Sequence, residues 1–156
     1  MRGWREADLD AFAAMSADPE VMRFLGGTAD REHAWRGIAM FVGHWVLRGY
    51  GLWAVERRCD GRLLGRVGLW QPEGWPGLEL GWALCRQAWG RGYAQETARA
   101  AMGWAWAVLD ARRLISLIDP RNELSVRVAQ RLGMRPAGEC ELDGETVTMF
   151  AIDRAG

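Results

Sequence analysis

One glycine-containing stretch, between an apolar run and a long helical segment, organises this chain. It reads Arg86-Gln87-Ala88-Trp89-Gly90-Arg91-Gly92-Tyr93-Ala94. The run 78–84 before it is predicted to be a strand, and the segment 94–109 after it a helix. Two glycines one residue apart let successive N–H groups curve around one point, and the helix N-terminus adds its positive dipole end. We interpret the stretch as an anion cradle for the pyrophosphate of a cofactor.

The segments on either side of this cradle predict a mixed α/β fold. Hydrophobic spacing and cap residues predict helices at 6–16, 20–25, 30–48, 94–109 and 122–132, and strands at 52–56, 62–70, 78–84, 113–118, 134–142 and 145–152. Asp60-Gly61 and Asp143-Gly144 each lie between two strands and predict antiparallel hairpins. The strand, helix and strand around the cradle predict one βαβ crossover.

The strand before the cradle has two different faces. Leu78, Leu80, Trp82 and Leu84 alternate on one face, which we expect to enter the core. Glu79 lies on the other face, together with Gly81 and Ala83. That face is small and open, and Glu79 is its only ionisable residue.

Composition limits the classes of partner. The chain has 156 residues and a formal net charge of zero, which suits one domain (1–156) and gives no reason to expect binding to nucleic acid or a membrane. Cys59, Cys85 and Cys140 form no CxxC pair, so we expect reduced thiols in the cytoplasm. With two histidines and no zinc-like spacing, no metal site is expected. No apolar run is long enough to span a membrane, and no signal peptide is recognised.

Three interpretations of the glycine stretch rest on the residues alone. It could be a tight turn without a ligand. A dinucleotide-binding loop would need a third glycine at Gln95, and a P-loop would need a lysine, which the chain lacks. The remaining interpretation depends on one further motif downstream and one at the N-terminus.

Three ordered motifs resemble the GNAT acetyltransferase superfamily. Gln87-x-x-Gly90-x-Gly92 resembles its Gln/Arg-x-x-Gly-x-Gly/Ala signature, and Asn122-x-x-Ser125 followed by 131–134 resembles its Asn-x-x-Ser helix ending in Leu-Gly-Phe. Residues 3–22 are similar to the Rim-like subgroup, which includes the ribosomal-protein N-terminal acetyltransferases. The resemblance implies the GNAT fold: a single, largely antiparallel sheet of about six to seven strands, one βαβ crossover, and helices on both faces. Its first strand is expected to be missing here or reduced to a stub at 1–4, so the native start could lie upstream.

The resemblance also implies acetyl-coenzyme A as cosubstrate, bound where the strands 78–84 and 113–118 separate. Its pyrophosphate would contact backbone N–H groups of the glycine loop, and its pantetheine arm would pair with the preceding strand. The residues implied for cofactor binding are Leu84, Cys85, Gln87, Gly90, Arg91, Gly92, Tyr93, Ala94, Asn122 and Ser125.

Two residues are candidates for the chemistry. Acetyl transfer to an amine needs a neutral nucleophile and a proton for the departing thiolate. Glu79 is the candidate base, or else a solvated strand carboxylate. Ser125 is the candidate acid by resemblance to the Rim-like subgroup, because the tyrosine that many family members place seven residues after the asparagine is Ala129 here.

The sequence therefore predicts an N-acetyltransferase that acts on a small-molecule or peptide amine and could form a homodimer. The alternatives are a non-catalytic module that binds coenzyme A, and a tryptophan-rich interaction domain. Trp75 and Trp89 are predicted loop residues that could shape the acceptor site or a subunit contact.

Overall fold

The computed structural model describes residues 1–142 and 144–155, and within them six strands form one sheet. The strands are β1 (Leu52–Glu56), β2 (Leu63–Trp70), β3 (Glu79–Leu84), β4 (Arg113–Ile118), β5 (Arg135–Leu142) and β6 (Glu145–Asp153). Their order across the sheet is β1-β2-β3-β4-β6-β5. Only the pair β3–β4 is parallel, so the predicted mixed α/β class and largely antiparallel sheet are confirmed.

Helices cover both faces of the sheet. They are α1 (Leu9–Ser16), after a 3₁₀ turn at Glu6–Asp8, α2 (Pro19–Met22), α3 (Arg31–Arg48), α4 (Tyr93–Val108) and α5 (Glu123–Arg131). The first three pack against one face, and α4 and α5 against the other. The predicted second helix is shorter than expected, because left-handed Gly26 and Gly27 follow soon after it. No described helix is long and apolar enough to cross a membrane.

Both predicted hairpins pair as expected. β1 and β2 are antiparallel around the turn that contains Gly61, and β5 and β6 are antiparallel around Gly144. Asp143, the other residue of that second turn signal, lies outside the described residues. The predicted βαβ crossover is β3–α4–β4.

Side chains replace part of the ladder where β3 and β4 separate. The two strands share one register pair, Glu79 opposite Ile115. One residue further on, the Ser116 hydroxyl donates to the carbonyl oxygen of Leu80 at 2.6 Å. The N–H of Leu117 points to the Glu79 carboxylate at 3.4 Å instead of continuing the parallel ladder. These side chains satisfy backbone groups that would otherwise be left unpaired, so the strands can diverge and open a gap.

The N-terminal segment pairs with the edge of the sheet at a single bridge. Arg2 forms an isolated antiparallel bridge with Ala54 of β1. Its guanidinium binds Asp8 and Glu56, each at 2.7 Å. These contacts hold the segment against the 3₁₀ turn before α1 and against the edge strand β1.

Candidate active site

The glycine loop presents free backbone donors at the start of α4. It begins with a 3₁₀ turn at Arg86–Ala88 and then passes through Gly90 and Gly92, whose φ angles of +69° and +81° are left-handed. Gly92 is the N-cap of α4, and no side chain caps the helix. A Cβ at either glycine would meet nothing within 4 Å, so packing does not explain the glycines. The N–H groups of the first turn therefore face open space, which suits an anion.

A cavity of about 420 Å³ lies in front of this loop. The glycine loop, the end of β3 and the start of α5 all contribute to its walls. It brings together seven of the predicted site residues: Leu84, Gly90, Gly92, Tyr93, Ala94, Asn122 and Ser125. Segments about 30 residues apart in sequence thus meet at one site.

Three predicted cofactor contacts do not line this cavity. Gln87 and Arg91 are exposed residues of the loop. Cys85 donates its N–H to the carbonyl of Leu64 at 2.8 Å, so it has no free N–H for a ligand, contrary to the prediction. The alternation of an antiparallel strand is the reason, since it turns this peptide group toward β2.

The same alternation identifies a contact that the sequence prediction missed. Because Cys85 bonds β2, the peptide groups of Trp82 and Leu84 point the other way, into the gap between β3 and β4. Trp82 lines the cavity. The Leu84 carbonyl already accepts the Trp89 indole N–H at 2.7 Å, which fixes that ring against the cavity wall. A ligand lying along this side of β3 would therefore find the N–H and C=O of Trp82 and the N–H of Leu84 as hydrogen-bonding groups.

The sequence prediction also missed arginines that line the cavity. Arg23 lines the cavity from the segment after α2, and Arg127 and Arg131 from one face of α5. The spacing of the last two, four residues apart on a helix, is the sequence signal that could have identified them. Glu20 and Glu123 also line the cavity, and Arg127 pairs with Glu123 at 3.2 Å. The arginines still leave a net positive charge, which adds to that of the α4 N-terminus and suits a ligand with phosphates.

Asn122 and Ser125 occupy the first turn of α5. The side-chain oxygen of Asn122 accepts the Ser125 N–H at 3.2 Å, which is an N-cap bond and leaves the amide NH₂ of Asn122 free. The half-buried Ser125 side chain lines the cavity. Ala129, at the position of the family tyrosine, is fully buried.

Glu79 lies at the start of β3, opposite Ile115 of β4, where the two strands separate. It is not one of the residues that line the cavity. Burial raises the pKa of its carboxyl group, while hydrogen bonds from Trp75 and Leu117 act in the opposite direction. The Trp75 indole N–H donates to the carboxylate at 2.7 Å. This contact gives Trp75 a defined place next to the candidate base. A carboxyl group with a raised pKa is a better proton acceptor near neutral pH than an exposed one.

Metal ligands are not gathered anywhere in residues 1–142 and 144–155. No group of three or more His, Cys, Asp or Glu side chains is placed to hold an ion there.

Comparisons with known proteins give a consistent result. The family model for the "Acetyltransferase (GNAT) domain" matches residues 1–135. Bacillus subtilis YkkB, an uncharacterised protein, is 35% identical over 130 residues, covering 79% of this chain and 73% of its own. An acetyltransferase from Agrobacterium tumefaciens superposes with a TM-score of 0.86 at 29% identity, covering 98% of this chain and 89% of that one.

A more distant structure shares the fold alone. Spermidine N-acetyltransferase from Vibrio cholerae, solved with CoA and spermine, has a TM-score of 0.77 at 15% identity, with 97% of this chain and 93% of that chain covered. The extent of the family match and the similarity to YkkB decide the classification: this chain belongs to the GNAT acetyltransferase family.

Proposed function

We propose that the protein is an N-acetyltransferase that moves the acetyl group of acetyl-coenzyme A directly to a primary amine. One observation carries the proposal: the uncapped N-terminus of α4, the gap between β3 and β4, and Ser125 all open onto one cavity. A purely structural turn at the glycine loop would not explain why the end of β3 and the start of α5 line the same cavity as that loop.

The residues present fit coenzyme A. The N–H groups of Gly92, Tyr93 and Ala94 would hold the pyrophosphate, with Arg127 and Arg131 adding positive charge. The backbone of Trp82 would pair with the amides of the pantetheine arm. The bound thioester supplies an activated acyl group, and the protein supplies position and proton transfer.

Glu79 and Ser125 have complementary parts in this proposal. The amine must lose a proton as its nitrogen bonds the acetyl carbon, and the carbon–sulfur bond breaks at the same centre. Glu79 would accept the proton of the amine, directly or through water. The Ser125 hydroxyl would donate a hydrogen bond to the departing sulfur, the part implied by resemblance to the Rim-like subgroup. No acyl-enzyme is involved, so Cys85 needs no catalytic part.

A second candidate is a module that binds coenzyme A without catalysis. Ala129 favours it, because this buried methyl group cannot replace the hydroxyl of the family tyrosine. Glu79 favours the enzyme, because burial with a raised pKa is typical of a base and unnecessary in a binding module.

Two measurements test the proposal in order. Acetyl-coenzyme A at a hundred times its Kd should stabilise the folded protein by about 2.7 kcal/mol, visible as a higher melting temperature. A free-thiol assay with a panel of primary amines then separates the enzyme from the binding module. Binding without thiol release for any amine supports the module, and no thermal shift at millimolar ligand overturns both candidates.

A further inference from the structure

A second, smaller cavity lies on the opposite side of β3 from α4. Its volume is about 150 Å³, and α1, α3 and the segment between α2 and α3 enclose it against the sheet. Most of its walls are apolar, formed by Phe12, Met15, Met22, Leu25, Ala29, Ala34, Gly37 and Phe41. Arg66 of β2 is the strongly basic group among the described lining residues. We call this space the Arg66 cavity.

The two cavities adjoin. Leu25 lines both of them. Arg66 is the register partner of Ala83, which lines the larger cavity. The two cavities therefore border each other at Leu25 and at the β2–β3 register pair Arg66–Ala83.

Arg66 carries a charge that the described residues leave without a direct partner. Its guanidinium lies 5.3 Å from the centre of the Phe41 ring. Burial lowers its pKa, and the one carboxylate that offsets this effect, Glu79, acts through space without a hydrogen bond. A guanidinium in apolar surroundings is costly unless an anion pairs with it, and it matches a carboxylate with two parallel hydrogen bonds.

Arg66 and Glu79 share one face of the sheet, and Gly81 lies between their positions along β3. Along the β2–β3 ladder, Arg66 pairs with Ala83 and Trp70 pairs with Glu79. Ala83 and Glu79 each lie two residues from Gly81 along β3, in opposite directions. A Cβ at Gly81 would meet nothing within 4 Å. The face thus has a guanidinium at one end, a carboxylate at the other, and open space over the glycine.

We propose that the acceptor is a small amine that also carries a carboxylate and an apolar body, and that Arg66 binds this carboxylate. The inference rests on the proposed function, since it names the class of its acceptor. Glu79 attracts the ammonium end and accepts its proton, while the apolar walls receive the rest of the molecule. A polyamine is excluded by the same arrangement, because a second ammonium group would lie against Arg66.

Matched ligands test the carboxylate directly. Leucine, methionine and phenylalanine are each compared with their amides and with the amines that lack the carboxyl group, by thiol release in the presence of acetyl-coenzyme A. The amino acids should have a kcat/KM at least tenfold higher than the other two. In Arg66→Gln this preference should fall to within about twofold, and Arg66→Lys should restore part of it. Arg62→Gln, on an exposed arginine next to the same strand, should leave it unchanged.

A binding measurement keeps this inference separate from the proposed function. Calorimetric titration of the protein saturated with coenzyme A should show the amino acids binding more tightly than their amides, and Arg66→Gln should remove the difference. If nothing is turned over yet this pattern is seen, the proposed enzyme fails and the Arg66 site stands. Equal binding of acid and amide, a preference for polyamines, or an unchanged preference in Arg66→Gln would overturn the inference.

Discussion

The two cavities on either side of β3 present different groups to a ligand. The larger one offers backbone N–H groups from one short loop and from the first turn of α4. The Arg66 cavity offers a side chain from β2, placed beside residues of three helical segments by the register of the sheet. In the proposed function the first would hold the cofactor through the backbone, whereas the second would bind the acceptor through one side chain.

Gly92→Trp should give the largest loss of ligand binding, because it changes the N-cap of α4 in the glycine loop. The left-handed φ of +81° disfavours any side chain, and an indole would fill the space in front of the α4 N-terminus. We expect the thermal stabilisation by acetyl-coenzyme A to disappear while the chain still folds. Differential scanning fluorimetry with and without the ligand measures it.

Gly61→Trp is the matched control for that change. Gly61 is also left-handed, at +70°, with open space around it, but it lies in the β1–β2 turn away from both cavities. Both variants should lose about 1–2 kcal/mol from backbone strain, and only Gly92→Trp should lose the ligand response. A retained response in Gly92→Trp would show that the loop is not the anion site.

The same difference explains how far the sequence alone could lead. The left-handed turn before α4 was predictable because its two glycines mark it. The N-cap of α5 was predictable because asparagine is a preferred cap residue. The sequence prediction missed Trp82 and gave Cys85 a ligand contact, because the direction of a peptide group depends on the register between neighbouring strands. Arg66 was missed because nothing local connects it to Phe12 or Leu25. Such contacts exist only once the sheet register and the helix packing are known.

Glu79→Gln should give the next largest effect, and it tests the side-chain part of the site. Loss of a general base typically costs 10²–10⁴ in rate, so kcat should fall in that range while acetyl-coenzyme A still raises the melting temperature. Glu73→Gln, on an exposed loop carboxylate, is the control and should leave kcat unchanged. Full activity in Glu79→Gln would assign Glu79 to the structure of the strand gap alone.

The same variant should change stability in a pH-dependent way. Burial raises the folded-state pKa of Glu79 above its unfolded value, so the protonated form favours folding. That contribution is complete below the unfolded pKa of about 4.3 and is lost as the pH rises through the higher folded pKa. The free energy of unfolding of Glu79→Gln, relative to the wild type, should therefore increase with pH, as measured by urea titrations between pH 4 and 8.

Ser125→Ala should give the smallest effect, and Ser116→Ala is its structural counterpart. The cap bond of Asn122 goes to the Ser125 backbone N–H, so the alanine keeps it and the helix should remain intact. Losing one hydrogen bond to the departing sulfur, worth about 1.4 kcal/mol, should lower kcat roughly tenfold with acetyl-coenzyme A affinity and melting temperature nearly unchanged.

The buried Ser116 hydroxyl instead satisfies the Leu80 carbonyl where β3 and β4 separate. Ser116→Ala should therefore lower the free energy of unfolding by about 1–3 kcal/mol, since that carbonyl would lose its donor. Urea unfolding and thiol-release kinetics on both variants distinguish the two serines. Unchanged turnover in Ser125→Ala would remove its hydroxyl from the reaction, and lost cofactor affinity would move it from the chemistry to binding.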